Sequence, residues 1–441
     1  MKARRRVNMK NSLKMALIVE ALLAYVYVSL TNGVFLAYLA FLGYDTSMIS
    51  SIVLGSSFPA ILIGYMAFRK PTLLSSVSKK RLIVVHASER LIWLVVPFMH
   101  SFEALIAVYF VKNLFSVLIS LQFNNIIFSV FDEQGVRDVT SKRSSLASVS
   151  SILGYFLATI FLSAGETGFY YSFIYGALIG LASTAVIALP DMKIPLREIP
   201  AITNVENIYS VSLYQVLYVA SASLLSIFWV SIIVKGMGLE SYWVTMISLV
   251  GTATSIFASL FWGRAHFKYY KFSLAFDALT PLLVVFAKNS FMHLGISTYG
   301  SFFGTGSGFL GSFLYARYMG SLGPMRASSL LIMLGGLGQF FGSLIGSFGQ
   351  EFYLVLAVAV VVLKMGALFV AFLTIPEVAL VPGYMARNYA SILYMVSVLG
   401  YRLSIEVSKE SAIITLRIIV LTVSLLVLYV IYKAAIILLG V

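Results

Sequence analysis

Six ionisable residues lie deep inside long apolar stretches of the chain: Glu20, Glu89, Arg90, Lys112, Asp277 and Lys364. An unpaired charge in hydrocarbon costs several kcal/mol, so each is a candidate for proton exchange, ion binding or a structural ion pair. Three are acidic and three basic, which permits full pairing. Glu89 and Arg90 are chain neighbours and point different ways on a helix, whereas His86 and Arg90, four apart, share a face. Uncharged hydrogen-bonding side chains accompany them: Asn32, Asn113, Gln122, Asn124, Asn125, Tyr214, Gln215, Tyr218 and Gln339. Interhelical bonds from such groups average about 0.6 kcal/mol in membranes, so helix packing is the expected role of most. Tyr214, Gln215 and Tyr218 form the cluster best suited to a cavity wall.

The elements that must position these groups are membrane-crossing helices. Of 441 residues, 60% are hydrophobic and 11% charged, whereas soluble domains carry about 25% charged residues. A crossing helix needs about 20 apolar residues. Apolar segments fall at about 12–42, 46–68, 82–99, 102–131, 144–164 and 168–189, then at about 210–234, 240–262, 270–289, 291–316, 326–348 and 352–374. Basic residues fill every second gap: Arg69, Lys70, Lys79, Lys80 and Arg81; Arg137, Lys142 and Arg143; Lys193 and Arg197; Arg264, Lys268 and Lys271; Arg317 and Arg326. The gaps between carry Asp45, Glu103, Glu166, Glu240 and Glu351, with Lys235 and Lys288 as their only cations. Basic loops stay cytoplasmic. The chain is therefore expected to be a multi-pass protein of the cell membrane with its N-terminus inside. Six cations precede an apolar run from Met15 to Leu42. That run exceeds the apolar core of a signal peptide, about 7–15 residues, and reads as an uncleaved first helix.

The polar stretch 190–209 reads as a cytoplasmic linker between two six-helix halves, 1–189 and 210–375. Pro376 and Pro382 break the twelfth helix. Residues 376–441 form an extension in which 411–440 is long enough to cross, while 384–403 either lies at the interface or barely crosses. The expected fold is all-α: a polytopic 6+6 bundle with one or two extra C-terminal helices, and a monomer. The net charge of +14 serves topology and contact with anionic lipids, so nucleic acid is not an expected partner. The absence of cysteine excludes disulfides, thiol catalysis and Cys-based metal sites. No Gly-Lys dipeptide occurs, which removes an ATP-binding P-loop. The four histidines hold no i, i+4 pair, and Thr305 spoils a serine-nucleophile reading of Gly304 to Gly308. Neither an enzyme nor a metal or other cofactor is expected.

The halves echo each other. Lys142 to Phe156 reads KRSSLASVSSILGYF, and Arg326 to Phe340 reads RASSLLIMLGGLGQF. Ser144, Ser145, Leu146, Leu153, Gly154 and Phe156 match Ser328, Ser329, Leu330, Leu337, Gly338 and Phe340, six helices apart. A shorter echo pairs Gly64 to Arg69 with Gly263 to Lys268. Parallel repeats related by an axis along the membrane normal follow. With this topology, residues 10 to about 375 resemble the major facilitator superfamily, whose loop motif after helices two and eight is roughly G-x-x-x-D-R-x-G-R-R. Gly64, Arg69, Gly263 and Lys268 match it; Phe68 and Phe267 stand where the Asp belongs. Aligning 75–80 on the motif instead still leaves the Asp missing. Lys79, Lys80, Arg264, Arg143 and Arg326 complete the candidate gating loops.

The resemblance implies secondary active transport of a small solute by alternating access, with a cavity lined by helices one, four, seven and ten. Glu20 and Lys112, on helices one and four, then become the proton-coupling carboxylate and the holder of a substrate anion. Asn32, Asn113 and the helix-seven cluster extend the same wall. Asp277 and Lys364, on helices nine and twelve, are expected to form a structural salt bridge, and Glu89 and Arg90 count with them as intramembrane charge pairs. Glycines at four-residue spacing, Gly300, Gly304 and Gly308, then Gly338, Gly342 and Gly346, allow close helix approach. The rival readings are a receptor or assembly partner of the same fold that transports nothing, or a lipid-moving protein.

Overall fold

The computed structural model describes residues 2–72, 78–131, 133–190, 208–349, 353–397, 399 and 409. Residues 191–207 of the expected linker 190–209, the extra crossing at 411–440 and residues 75–77 of the alternative motif alignment 75–80 lie outside them. The described chain is helical: α1 (Lys2–Leu30), α2 (Asn32–Phe41), α3 (Thr46–Arg69), α4 (Lys79–Val95), α5 (Phe102–Val130), α6 (Glu133–Leu162), α7 (Glu166–Ala188), α8 (Ile208–Ser231), α9 (Tyr242–Arg264), α10 (Tyr270–Asp277), α11 (Thr280–Phe286), α12 (Ser290–Leu322), α13 (Pro324–Ser347) and α14 (Tyr353–Thr374). Among the described residues there is no strand. Among the described residues ten helical spans are long and apolar enough to cross a membrane. The other two positions of the bundle are filled by α4, only 17 residues long and carrying three charges in its first turn, and by the 33-residue α12. Counted as twelve segments, α1–α2 form the first and α10–α11 the ninth.

Both composite segments are broken mid-way, and each break leaves a backbone carbonyl without its helical partner. In the first segment Thr31 leaves helical geometry at φ −116° and ψ −83°. The Ser172 hydroxyl of α7 donates to the freed Leu30 carbonyl at 2.6 Å. In the ninth, Pro281 stands four residues after Asp277 and has no N–H to give the Asp277 carbonyl. Lys364 supplies the donor instead, at 3.0 Å.

The packing repeats with the chain. Segment one packs on five and six, two on four, and three on four and six; seven packs on eleven and twelve, eight on ten, and nine on ten and twelve. Every contact of the first half thus recurs six segments later. The halves meet along two symmetric seams, α3 with α13 and α6 with α9. The matched glycines of the long echo occupy equivalent crossings. A Cβ on Gly154 would stand 2.6 Å from Ser29 Cβ and 2.9 Å from the Val26 carbonyl; one on Gly338 would stand 2.6 Å from Val219 Cβ and 2.8 Å from the Val216 carbonyl. Gly154→Ala and Gly338→Ala should each lower stability by about 1–3 kcal/mol, the usual range for overpacking. Gly263→Ala, with nothing within 4 Å, should be near neutral; apparent melting temperatures of the purified protein check all three.

Large apolar side chains face outward, as with Phe257 at 72% and Phe291 at 72% exposure, where lipid covers them. Inside, the apolar clusters divide the halves unequally. Toward the end carrying Asp45, Glu103 and Glu166, one core joins both halves: Phe35, Tyr38, Ile49 and Val53 pack with Ile227, Val230, Val244 and Ile247. Ser47 there donates to the Ser347 carbonyl, and Lys235 to the Gly43 carbonyl, each at 2.7 Å. Toward the basic end the fully buried residues form separate cores, Leu13, Leu17, Leu82 and Phe123 in the first half and Tyr270, Leu314, Leu330 and Ile375 in the second, against which the partly buried Phe68 of α3 packs. There the Asn124 side chain of α5 donates to the Ser328 hydroxyl of α13 across the halves.

Candidate functional site

α4 is inside-out relative to a helix of a soluble protein. His86, Glu89, Arg90 and Trp93 share its buried face, while Val84, Leu91 and Val95 are exposed. The spacing i, i+3, i+4, i+7 makes one stripe, and here the stripe is polar because hydrocarbon, not water, bathes the other side. Opposite it lie Glu20, Tyr27 and Asn32 of the first segment, and Tyr109, Lys112, Asn113 and Ser116 of α5.

Three clusters follow along this stripe. Nearest the basic end, Glu20 is 1% exposed. His86 Nε2 lies 3.4 Å from its Oε1, and the guanidinium of Arg143 reaches Oε2 at 2.9 Å, close as an ion pair but not aligned as a hydrogen bond. His86 Nδ1 meets the Thr184 hydroxyl at 2.7 Å. Arg143 also donates to the Leu17 carbonyl and lies over the Phe123 ring at 5.1 Å. In the middle, Glu89 accepts from the Tyr27 hydroxyl at 2.6 Å, from Arg90 at 2.8 Å and from the Ser116 hydroxyl at 3.1 Å. Farthest from the basic end, Lys112 donates to the side-chain oxygens of Asn32 at 2.8 Å and Asn113 at 3.1 Å. Asn113 donates on to the Ser56 carbonyl at 2.9 Å, and Gln339 of α13 reaches the Ser56 hydroxyl at 3.0 Å. This last chain of bonds ties the Lys112 cluster to the second half.

One expectation holds by an unforeseen route and another changes. Glu89 and Arg90, counted among the intramembrane charge pairs although helix neighbours point different ways, pair with each other. The long Arg90 side chain folds back across the Tyr27 ring, 4.9 Å from its centroid, in room left by Gly180, whose Cβ position lies 2.5 Å from Arg90 Cγ. Arg143, placed in a gating loop, lies inside α6, which begins at Glu133. The other loop residues sit at helix ends. Arg69, Lys80, Arg264 and Lys268 are exposed and Lys79 partly so, while Arg326 is partly buried behind Pro324 at the first turn of α13, a position suited to proline's missing N–H. Gly64 packs on the Met333 backbone of α13, so the shorter echo with the open Gly263 is not matched in surroundings.

In the second half Lys364 Nζ lies 2.5 Å from Asp277 Oδ1, the expected ion pair. The Tyr214 and Tyr218 hydroxyls donate to the Ser307 and Gly304 carbonyls of α12 at 2.7 and 2.8 Å, clamping α8 to the glycine-rich helix. Gln215 Oε1 beside them is buried without a hydrogen-bond partner. Trp229 and His293, which no sequence pattern singled out, join α8 to α12 at 3.0 Å. Among the described residues no group of three or more His, Asp or Glu side chains could hold a metal ion.

No protein-family model and no curated protein sequence matches the chain. Two crystal structures of the nucleoside transporter NupG, one of them a point mutant, resemble it. The mutant matches with a TM-score of 0.60 at 14% identity, covering 81% of this chain and 99% of that one. The other matches with a TM-score of 0.54 at 16% identity, covering 82% and 99%. This likeness shows that the chain shares its all-helical fold with those structures, and within that fold the helix contacts repeat six segments apart in two halves.

Proposed function

We propose that the chain carries a small solute across the cell membrane by alternating access. Its halves, 1–189 and 210–375, rock about a site near the bilayer midplane. The N-terminus and the linker 190–209 lie in the cytoplasm, as the basic gaps require. The observation that carries this reading is the unequal joining of the halves. An apolar core with fully buried members from both halves seals the acidic end, whereas at the basic end the fully buried members of each core come from one half. Such a bundle can part at the basic end with less shared apolar surface exposed than at the acidic end, and the symmetric seams let the same motion run in reverse.

Glu20 is the coupling carboxylate of this proposal. It is buried in the first segment between a guanidinium and an imidazole, partners that can hold its charge or release it to a proton. The test is flux in proteoliposomes under an imposed proton gradient. Uridine is the first solute to try, because both resembling structures are of a nucleoside transporter, followed by amino acids, sugars and carboxylates. Wild-type protein should accumulate at least one of them. Glu20→Gln keeps the shape and should abolish gradient-driven accumulation while leaving exchange of labelled for unlabelled solute. Absence of flux for every solute would sink the transport reading; equal accumulation by the variant would sink the coupling role alone.

A further inference from the structure

The first half buries one more cation than it can neutralise. Glu20 meets Arg143, and Glu89 meets Arg90, which leaves Lys112, 7% exposed. Among the described residues no carboxylate lies within 4 Å of its ammonium, and Glu89 is already met by Tyr27, Arg90 and Ser116. Everything that touches Lys112 holds a cation without cancelling it: two amide oxygens and the faces of Trp93 and Tyr109, at 5.6 and 5.3 Å from the ring centroids. A buried charge normally keeps a counter-charge, and among the described residues this one has none within ion-pair distance. An ammonium has three N–H donors; Asn32 and Asn113 use two. Asn32 and Asn113 are only partly buried, so the cluster can be reached.

We propose that Lys112, cradled by Asn32 and Asn113, binds the single carboxylate of the carried solute. The assignment rests on the transport reading above. A carboxylate brings one negative charge to one uncompensated positive charge, and one acceptor to one unused donor. A phosphate would bring close to two charges and needs several donors, and the cluster supplies neither. Lysine rather than arginine suits this, since it acts as a point charge and imposes no two-pronged geometry.

The test uses the full chain in lipid nanodiscs and reads its melting temperature. The probes are sodium acetate, lactate, benzoate and nicotinate, with sodium chloride at equal ionic strength and uridine for comparison. At least one carboxylate should raise the melting temperature of the wild type beyond chloride. Lys112→Met should weaken that binding about tenfold or more, the loss of one charge-assisted bond, and Lys112→Arg should restore part of it. Without any probe, Lys112→Met should melt no lower than wild type, because it removes an uncompensated charge. A lower melting temperature would mark Lys112 as structural and overturn the proposal. So would the absence of a shift from all four carboxylates, or an equal shift from chloride, which would make the site one for inorganic anions. Uridine flux in proteoliposomes with no carboxylate effect leaves transport standing and removes this inference. A Lys112-dependent carboxylate shift without flux of any solute keeps the site and removes transport.

Discussion

Arg143→Ala should be among the most damaging single changes in the first half, lowering stability by about 3–5 kcal/mol, the range for removing one partner of a buried ion pair. The Glu20 side chain is 2% exposed and Arg143 17%, so the burden falls on the carboxylate. Water cannot replace the guanidinium, and His86 at 3.4 Å is a poor substitute. Arg143 also satisfies the Leu17 carbonyl and stacks on Phe123, which the truncation removes as well. An apparent melting temperature close to wild type would show that the pair is solvated in the working protein. The double variant Glu20→Leu with Arg143→Met should recover most of the loss, because an apolar pair of similar volume avoids the desolvation penalty. For scale, Ser172→Ala, which frees only the Leu30 carbonyl, should cost about 0.6 kcal/mol, the membrane average for one hydrogen bond.

Lys364→Met should match or exceed that effect in the second half. One ammonium serves two acceptors, the Asp277 carboxylate at 2.5 Å and the Asp277 carbonyl at 3.0 Å. Both residues are buried, with side chains 7% exposed. The variant orphans a charge and a peptide oxygen that Pro281 has already deprived of its helical donor. The expected loss is about 3–5 kcal/mol for the charge with about 1–3 kcal/mol more for the carbonyl. Asp277→Asn isolates the parts: it removes the charge, keeps an acceptor for Lys364, and leaves the bond to the carbonyl in place. It should fall between wild type and Lys364→Met in denaturation of purified protein. A Lys364→Met protein as stable as wild type would mean that the break between α10 and α11 supports itself.

The fold was legible because lipid writes it in bulk terms: apolar length sets the helices, and alternating basic gaps set their order. The long echo was legible too, and the equivalent crossings of Gly154 and Gly338 explain why it exists. Helix ends were read less well. The stretch from Glu133 to Ser144 is polar, so α6 was expected to begin near 144, but a helix leaving the bilayer stays helical in water. That displaced Arg143 from a helix to a loop and hid its bond to Glu20, residues 123 positions apart whose meeting depends on how segments one and five cross. The break at Thr31 carried no proline to announce it, whereas Pro281 did announce the one in segment nine. Lys364 and Asp277 could be paired from the chain because each was the only deep charge on its segment. Glu89 and Arg90 could be matched by charge but not by geometry, since a helix separates neighbours and the fold-back depends on space beside Gly180.

The apolar core shared by the two halves has a thermal consequence. Parting that end would uncover Phe35, Ile49, Ile227 and Val244, with a positive heat-capacity change, while parting the basic end uncovers the partly buried Phe68 and a polar contact and changes heat capacity less. Hydrophobic attraction weakens on cooling. If the halves rock as proposed, temperature as well as solute sets the balance between the two open forms: warmth within the physiological range would hold the acidic end shut, and cold would loosen it.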